Sequence, residues 1–139
     1  MAQSIREVMT GGPHTVPADA TLQDAAREMK GDDIGAILVE DKGTVAGILT
    51  DRDIVVRAIA EGRDPASTKV GEVASRDVKT LTPDSSVEDA IKIVREQHVR
   101  RIPVVQDGRP AGIVSIGDLA VERDTDSALA DVSAASPNR

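Results

Sequence analysis

Cysteine and the ring-bearing residues Phe, Tyr and Trp are all absent from this sequence of 139 residues. Without cysteine the chain cannot form disulfides, thiolate metal sites or thiol nucleophiles, a composition that fits a reducing compartment. Without these rings it cannot hold a base or a sugar by aromatic stacking. Any flat ligand must therefore lie between aliphatic side chains and backbone.

Positive charge and long apolar runs are also scarce. The chain has 17 basic and 24 acidic residues, and its net charge of −7 repels phosphate backbones and anionic lipids. No apolar run approaches the roughly 20 residues of a membrane span, and the N-terminus, MAQSIREVM, lacks the basic-then-apolar order of a signal peptide. We therefore expect a cytoplasmic protein that has neither nucleic acid nor a membrane as its partner.

What the chain does have is an internal repeat. A shift of 65 residues aligns it with itself without a gap, from Ile5 on Val70 to Ile54 on Leu119. Identical pairs include Glu7/Glu72, Val8/Val73, Thr15/Thr80, Asp19/Asp84, Asp24/Asp89, Ala25/Ala90, Ile37/Ile102, Val39/Val104, Gly43/Gly108, Ala46/Ala111, Gly47/Gly112, Ile48/Ile113 and Asp53/Asp118. The alignment indicates a duplicated structural unit.

Each copy begins with an amphipathic helix. Thr21 and Ser86 are expected N-caps, and Asp24 and Asp89 follow three residues later, where a carboxylate can return the capping hydrogen bond. Apolar residues then recur at i, i+3, i+4 and i+7, which predicts one buried stripe on each helix. The stripes are Leu22, Ala25, Ala26 and Met29 in the first copy, and Val87, Ala90, Ile91 and Val94 in the second.

Two short aliphatic strands and a second helix complete each copy. A turn at Asp41-Lys42-Gly43 or Asp107-Gly108 joins the strands, and the helix after the first pair runs from Asp51 to Glu61. That helix carries apolar residues at Ile54, Val55, Ala58 and Ile59. The predicted unit is helix, strand, strand, helix, an α+β (α/β) fold. Because one small sheet cannot bury both faces, we expect the copies to pack sheet to sheet with pseudo-twofold symmetry.

These elements predict three segments along the chain. The first repeat covers residues 5–62, and the second covers 63–121 with a linker over 63–69. Residues 122–139 are rich in Asp, Ser and Ala and have little periodicity, so we expect a disordered tail.

A repeated heptad ends the last strand of each copy. It reads G-I-L-T-D-R-D from Gly47 to Asp53, and G-I-V-S-I-G-D from Gly112 to Asp118. Its hydroxyl and carboxylate fit a capping box at the start of the following helix. They also fit a ligand site, because a carboxylate suits the vicinal hydroxyls of a ribose, while a hydroxyl and free N–H groups suit its phosphate. On the residues alone the capping box is the favoured interpretation of the two.

The heptad, in a repeat that also contains R-I-P-V-V at Arg101 to Val105, resembles the cystathionine-β-synthase (CBS) domain, which occurs as tandem pairs called Bateman modules. The resemblance covers about Ile5 to Leu119 and is strongest to proteins with a single CBS pair, through D-I-G-A-I at Asp33 and L-T-D-R-D-I-V at Leu49. It implies a non-enzymatic regulatory module with no cofactor. Its clefts between the repeats would hold AMP, ADP, ATP or S-adenosylmethionine, and the module would form a homodimer that signals to an unidentified effector protein.

The resemblance also implies which residues contact the ligand. One cleft would use Ile48, Thr50, Asp53, Thr80, Leu81, Val99, Arg100 and Arg101. The other would use Thr15, Val16, Ile34, Gly35, Ala36, Ile113, Ser115 and Asp118. Since the first copy has Ala36-Ile37-Leu38 where the second has Arg101-Ile102-Pro103, we expect unequal clefts, with phosphate important only in the cleft of Thr50 and Asp53.

The regulatory hypothesis has two alternatives. One is a constitutive stress-response or protein-interaction module with vestigial sites, in which Thr50 and Ser115 serve only as caps. The other, an enzyme, is disfavoured because no pair of nucleophile and base recurs. The only histidines, His14 and His98, lie at non-equivalent places, so we expect no metal site; we expect His98 to cap a helix C-terminus. Arg57 and Arg63 are expected to be solvated.

Overall fold

The computed structural model describes residues 4–123, which form two compact units. One unit contains residues 14–78, and the other contains residues 4–13 together with 79–123. The segment that opens the first repeat therefore packs with the body of the second repeat. The predicted repeat boundaries along the chain stay predictions.

The elements follow one another in this order: a 3₁₀ turn Ile5–Glu7, β1 Thr10–Gly11, β2 Thr15–Pro17, α1 Leu22–Asp32, β3 Ala36–Asp41, β4 Thr44–Thr50, α2 Asp51–Asp53 continuing as a π-helix Ile54–Ile59, a 3₁₀ turn Val70–Glu72, α3 Val87–Gln97, β5 Arg101–Gln106, β6 Arg109–Ser115 and α4 Ile116–Arg123. Helix α4 reaches two residues into the predicted tail; the rest of that tail, residues 124–139, lies outside the described residues. None of the helices in residues 4–123 is long and apolar enough to cross a membrane.

The two sheets are built in the same way. In residues 14–78 the strand order is β2-β3-β4, with β2 parallel to β3 and β3 antiparallel to β4. In the other unit the order is β1-β6-β5, with all neighbours antiparallel. Each sheet also has a single bridge at the place where the other sheet has a short strand. Ser75, the equivalent of Thr10 in β1, pairs with Ile48, and Leu81, the equivalent of Val16 in β2, pairs with Val104. The predicted α+β class is confirmed. The short strands β1 and β2, which precede α1, were not among the predicted elements.

The predicted helix starts are confirmed. The Ser86 hydroxyl accepts a hydrogen bond from the Asp89 N–H at 3.0 Å, and the Asp89 carboxylate accepts the return bond from the Ser86 N–H at 3.3 Å. The Thr21 hydroxyl accepts the first of these two bonds, from the Asp24 N–H at 3.1 Å. Such caps satisfy N–H groups that have no partner within the helix.

Each unit has its own apolar core, and the first-helix stripes point into these cores. Leu22, Ala25 and Met29 are buried, whereas Ala26 of the predicted stripe is exposed. In α3 the buried residues are Val87 and Ala90, with Ile91 and Val94 partly buried. The cores otherwise consist of strand residues such as Ile37, Val39 and Leu49 in one unit and Ile102, Val104 and Val114 in the other.

The helix after β4 departs from its predicted stripe. Ala58 is buried and Ile54 partly buried, but Val55 and Ile59 are exposed. The reason is the wider winding of this segment, in which the Ala60 N–H donates to the Val55 carbonyl at 2.8 Å, five residues back. A stripe counted at 3.6 residues per turn does not hold in a π-helix.

The leading segments of the repeats, residues 5–11 and 70–76, are exchanged. In the unit of the second repeat, the N–H groups of Ile5 and Arg6 donate to the carbonyls of Ser85 and Pro83 at 2.8 and 2.9 Å. In the unit of the first repeat, the N–H groups of Val70 and Gly71 donate to the carbonyls of Ala20 and Ala18, both at 2.8 Å. All four bonds correspond under the shift of 65, so each body is completed by the leading segment of the other copy.

Candidate functional site

The repeated heptads form two equivalent strand-to-helix junctions, which we call the first junction (Thr50 and Asp53) and the second junction (Ser115 and Asp118). At the first junction, the Asp53 N–H donates to Thr50 Oγ1 at 3.1 Å and the Thr50 N–H donates to Asp53 Oδ2 at 2.9 Å. The second junction has the same two bonds at the same lengths. The capping-box interpretation is therefore confirmed at both places.

The cap leaves part of each junction unused. It engages only Oδ2 of Asp53 and of Asp118, so it makes no use of the second carboxylate oxygen. The four side chains of the junctions are all partly exposed. A carboxylate accepts several hydrogen bonds at once, and a hydroxyl that accepts one bond can still donate another. A capping box and a ligand contact are thus compatible in the same pair of side chains.

Each junction lies beside the start of the neighbouring strand in its own unit. Ala36 is directly opposite Thr50, and Arg101 is directly opposite Ser115, in antiparallel pairs. Directly opposed residues project from the same face of a sheet, with Cβ atoms about 5 Å apart. The Ile116 N–H also donates to the Arg100 carbonyl at 2.8 Å. Both arginines therefore belong to the second junction's surroundings.

The sixteen predicted contact residues divide between the units by repeat. The unit of residues 14–78 carries Thr15, Val16, Ile34, Gly35, Ala36, Ile48, Thr50 and Asp53; the other carries Thr80, Leu81, Val99, Arg100, Arg101, Ile113, Ser115 and Asp118. Val16, Gly35, Ala36, Ile48 and Leu81 are buried. The grouping of Thr50 and Asp53 with Arg100 and Arg101 joins different units and stays a prediction.

The two junctions differ in charge one helical turn further on. Arg57 lies with its Nε 3.9 Å from Asp53 Oδ1, and its Nη1 donates to the Val73 carbonyl at 3.1 Å and to Ser75 Oγ at 3.3 Å. The equivalent residue after Asp118 is Glu122. The Arg57 side chain is half exposed, as expected, but it also makes these contacts, which depend on where the leading segment of the second repeat packs.

Arg63 is likewise engaged. Its Nη2 lies 3.0 Å from Glu72 Oε1, while the Lys69 N–H donates to the other Glu72 oxygen at 2.8 Å. The backbone bond from Lys69, followed by the charge of Arg63, holds the pKa of Glu72 below its ordinary value. Arg57 and Arg63 therefore both anchor the segment of residues 69–75.

The histidines have separate structural environments. His14 Nδ1 lies 3.4 Å from Asp32 Oδ2, and both side chains are about half exposed. His98 is the C-cap of α3, in the left-handed conformation with φ of 53°, as predicted. Within residues 4–123, no group of three or more His, Asp or Glu side chains is arranged to hold a metal ion.

Comparison with known proteins identifies the family. A model of the CBS domain matches residues 5–59 and 70–123. The chain belongs to the CBS domain family. Its CBS pair is 42% identical to the CBS domain-containing protein YhcV of Bacillus subtilis over 120 residues, which cover 86% of this chain and 85% of that protein. It is 36% identical to Hypoxic response protein 1 of Mycobacterium tuberculosis over 116 residues, 83% of this chain and 81% of the relative. The predicted resemblance to proteins with one CBS pair is confirmed.

Solved structures with CBS domains share the fold. Hypoxic Response Protein I, crystallised with two coordinated zinc ions, superposes with a TM-score of 0.78 at 35% identity, covering 88% of this chain and 99% of that one. A hexameric CBS-CP12 protein from bloom-forming cyanobacteria superposes with a TM-score of 0.79 at 30% identity, covering 88% of this chain and 68% of that one.

Proposed function

We propose that this CBS pair is a non-enzymatic regulatory module that binds an adenosine-containing ligand, AMP, ADP, ATP or S-adenosylmethionine, at its strand-to-helix junctions. The observation that carries the proposal is the carboxylate oxygen that the capping box leaves unused at Asp53 and Asp118. The 2′- and 3′-hydroxyls of a ribose can donate to that oxygen without breaking the cap. Ligand binding would then shift the module between conformations by its differential affinity for them.

The second junction is the better proposed site for a phosphate. Arg101 shares a strand pair and a sheet face with Ser115, whereas Ala36 takes that place beside Thr50. By sequence, residues 14–78 contain eight basic and thirteen acidic residues, a net charge of −5, while residues 4–13 with 79–123 contain eight of each. The described residues of the second junction's unit therefore sum to zero charge, and they oppose an anionic ligand less than the acidic unit does.

Asparagine variants separate a ligand contact from a cap. Asp118→Asn and Asp53→Asn keep an amide oxygen that can accept the bond of the Ser115 or Thr50 N–H, but they lose the charged acceptor for ribose. We expect both variants to unfold near the wild-type temperature and to bind AMP at their own junction at least about tenfold more weakly by calorimetry. Intrinsic fluorescence cannot serve, because the chain has no Trp or Tyr. No heat with any of the four ligands at millimolar concentration would overturn the proposal.

A second candidate function is an interaction module with vestigial sites. It is supported by the caps themselves, since both boxes are complete without any ligand. The same calorimetry separates the two functions, because an interaction module with vestigial sites should give no binding heat with any of the four ligands. The stress-response role, the cytoplasmic location and the effector protein remain predictions.

Self-association as a homodimer is also part of the proposal. Val55, Val56 and Ile59 are 58%, 45% and 53% exposed along one turn of the π-helix. Three large aliphatic side chains side by side on an otherwise acidic unit favour burial against a second copy.

A further inference from the structure

Arg57 connects the first junction to a segment that lies 16 to 18 residues further along the chain. It is carried by the π-helix, its Nε faces the Asp53 carboxylate at 3.9 Å, and its Nη1 reaches the Val73 carbonyl at 3.1 Å. The same Nη1 reaches Ser75 Oγ at 3.3 Å. The guanidinium is thus placed between the carboxylate of the first junction and the segment that leads into the second repeat.

The segment that Arg57 holds is itself part of the sheet. Ser75 and Ile48 exchange two backbone hydrogen bonds of 3.0 Å, which attach the segment to the edge of β4, two residues before Thr50. The second repeat has the same strand arrangement with Thr10 in the place of Ser75, but Glu122 stands where Arg57 would be. The cation that follows the junction by one helical turn in the first repeat is therefore replaced by an acidic residue in the second.

We propose that Arg57 couples the first junction to the leading segment of the second repeat, so that a phosphate-bearing ligand at Thr50 and Asp53 loosens Val73 to Ser75. The inference rests on the proposed ligand binding at that junction. It adds the way in which ligand binding at this junction is transmitted to the second repeat. It assigns Arg57 the role of a positioning residue.

The direction of the effect follows from charge. A phosphate carries more negative charge than a carbonyl or a hydroxyl and forms stronger bonds with guanidinium. The Arg57 side chain is 52% exposed, so it has room to turn toward a ligand on the Asp53 side. Its bonds to Val73 and Ser75 are lost when it does. Adenosine has no phosphate to compete for the guanidinium, so it leaves these bonds in place.

Hydrogen exchange at the Ser75 and Ile48 amides measures the coupling directly. In the free protein, Arg57→Gln should speed exchange at these amides by about threefold to fivefold, the range expected for a half-exposed charged contact. Arg63→Gln is the matched control, because Arg63 anchors the same segment through Glu72 and not through the junction carboxylate. It should loosen residues 69–72 instead.

The ligand arms distinguish coupling from anchoring. Saturating AMP should speed exchange at Ser75 in the wild type, in Arg63→Gln and in Asp118→Asn, but not in Arg57→Gln or Asp53→Asn, and adenosine should not speed it in any of them. AMP binding by calorimetry without a change at Ser75 would overturn the coupling alone. A wild-type protein that binds no AMP would overturn the proposed function and the coupling with it. An equal response in Arg57→Gln and the wild type would show that Arg57 is only an anchor.

Discussion

Gly112 lies so close to Thr10 that a Cβ at position 112 would stand 2.6 Å from the Thr10 carbonyl oxygen. The equivalent Gly47 has the equivalent neighbour, because an added Cβ there would overlap the carbonyl of Ser75. Neither glycine has a positive φ. The glycine that opens both heptads is therefore explained by the exchanged leading segments, whose backbones pass where a side chain would lie.

Alanine at these glycines should destabilise the protein. Gly112→Ala and Gly47→Ala should each lower the free energy of unfolding by about 1–3 kcal/mol, the usual cost of forcing atoms into a packed site. Gly31 of α1 is the control, since a Cβ there meets nothing within 4 Å and Gly31→Ala should stabilise the helix by about 0.5–1 kcal/mol. Denaturant unfolding of the three variants checks this. Equal effects at positions 31 and 112 would contradict the close approach.

Glu72 should contribute to stability in a way that depends on pH. The folded state lowers its pKa below 4.5, chiefly through the Lys69 N–H. A carboxylate with a lowered pKa stabilises the fold above its unfolded pKa, and the contribution is lost as pH falls through the lowered value. Glu72→Gln should therefore melt below the wild type at neutral pH, with the gap closing as pH falls below 4.5. Thermal unfolding between pH 7 and strongly acidic pH measures the gap, and a gap that widens in acid would refute the assignment.

The features that the sequence predicts well are local ones. The capping boxes at Ser86, Thr50 and Ser115 join residues three apart, so residue type and spacing are enough to specify them. The hairpin turns are also specified by neighbouring residues, Lys42-Gly43 and Asp107-Gly108, each of which has a positive φ. The helix caps, the hairpin turns and the hydrogen bonds within each junction therefore follow from short stretches of chain.

The features that the sequence does not predict depend on distant partners. Thr10 and Gly11 form a strand only because Ile113 and Gly112 pair with them, and two residues have no period to detect. Arg57 looks like a surface charge until the leading segment at Val73 is placed beside it. The duplication itself was the available signal. Gly47 and Gly112 recur at the same place in two buried strands, where a glycine indicates that another segment of backbone passes close by.

The proposed dimer surface should tolerate no charge. Val55→Asp with Ile59→Asp places two carboxylates on the exposed apolar turn, and burying a Val or Ile side chain contributes about 1.5–3 kcal/mol. The dissociation constant should therefore rise by at least about tenfold, and the variant should be monomeric at micromolar concentration by light scattering. Gln23→Asp, on the exposed surface of α1, is the control and should leave the mass unchanged. A wild-type monomer under the same conditions would contradict the dimer.

The two junctions should respond differently when phosphate is removed from the ligand. A hydrogen bond to a charged group contributes about 1.5–3 kcal/mol. Arg101→Ala should therefore weaken AMP binding at the tighter of the two junctions by about tenfold to a hundredfold and leave the affinity for adenosine nearly unchanged. Arg101 lies opposite Ser115, so the same event should be lost in Asp118→Ala and kept in Asp53→Ala. Calorimetry of these three variants with both ligands decides it. Loss in Asp53→Ala instead would mean that Arg101 serves the first junction, the grouping implied by the family resemblance, and equal weakening of AMP and adenosine by Arg101→Ala would mean that the arginine is structural.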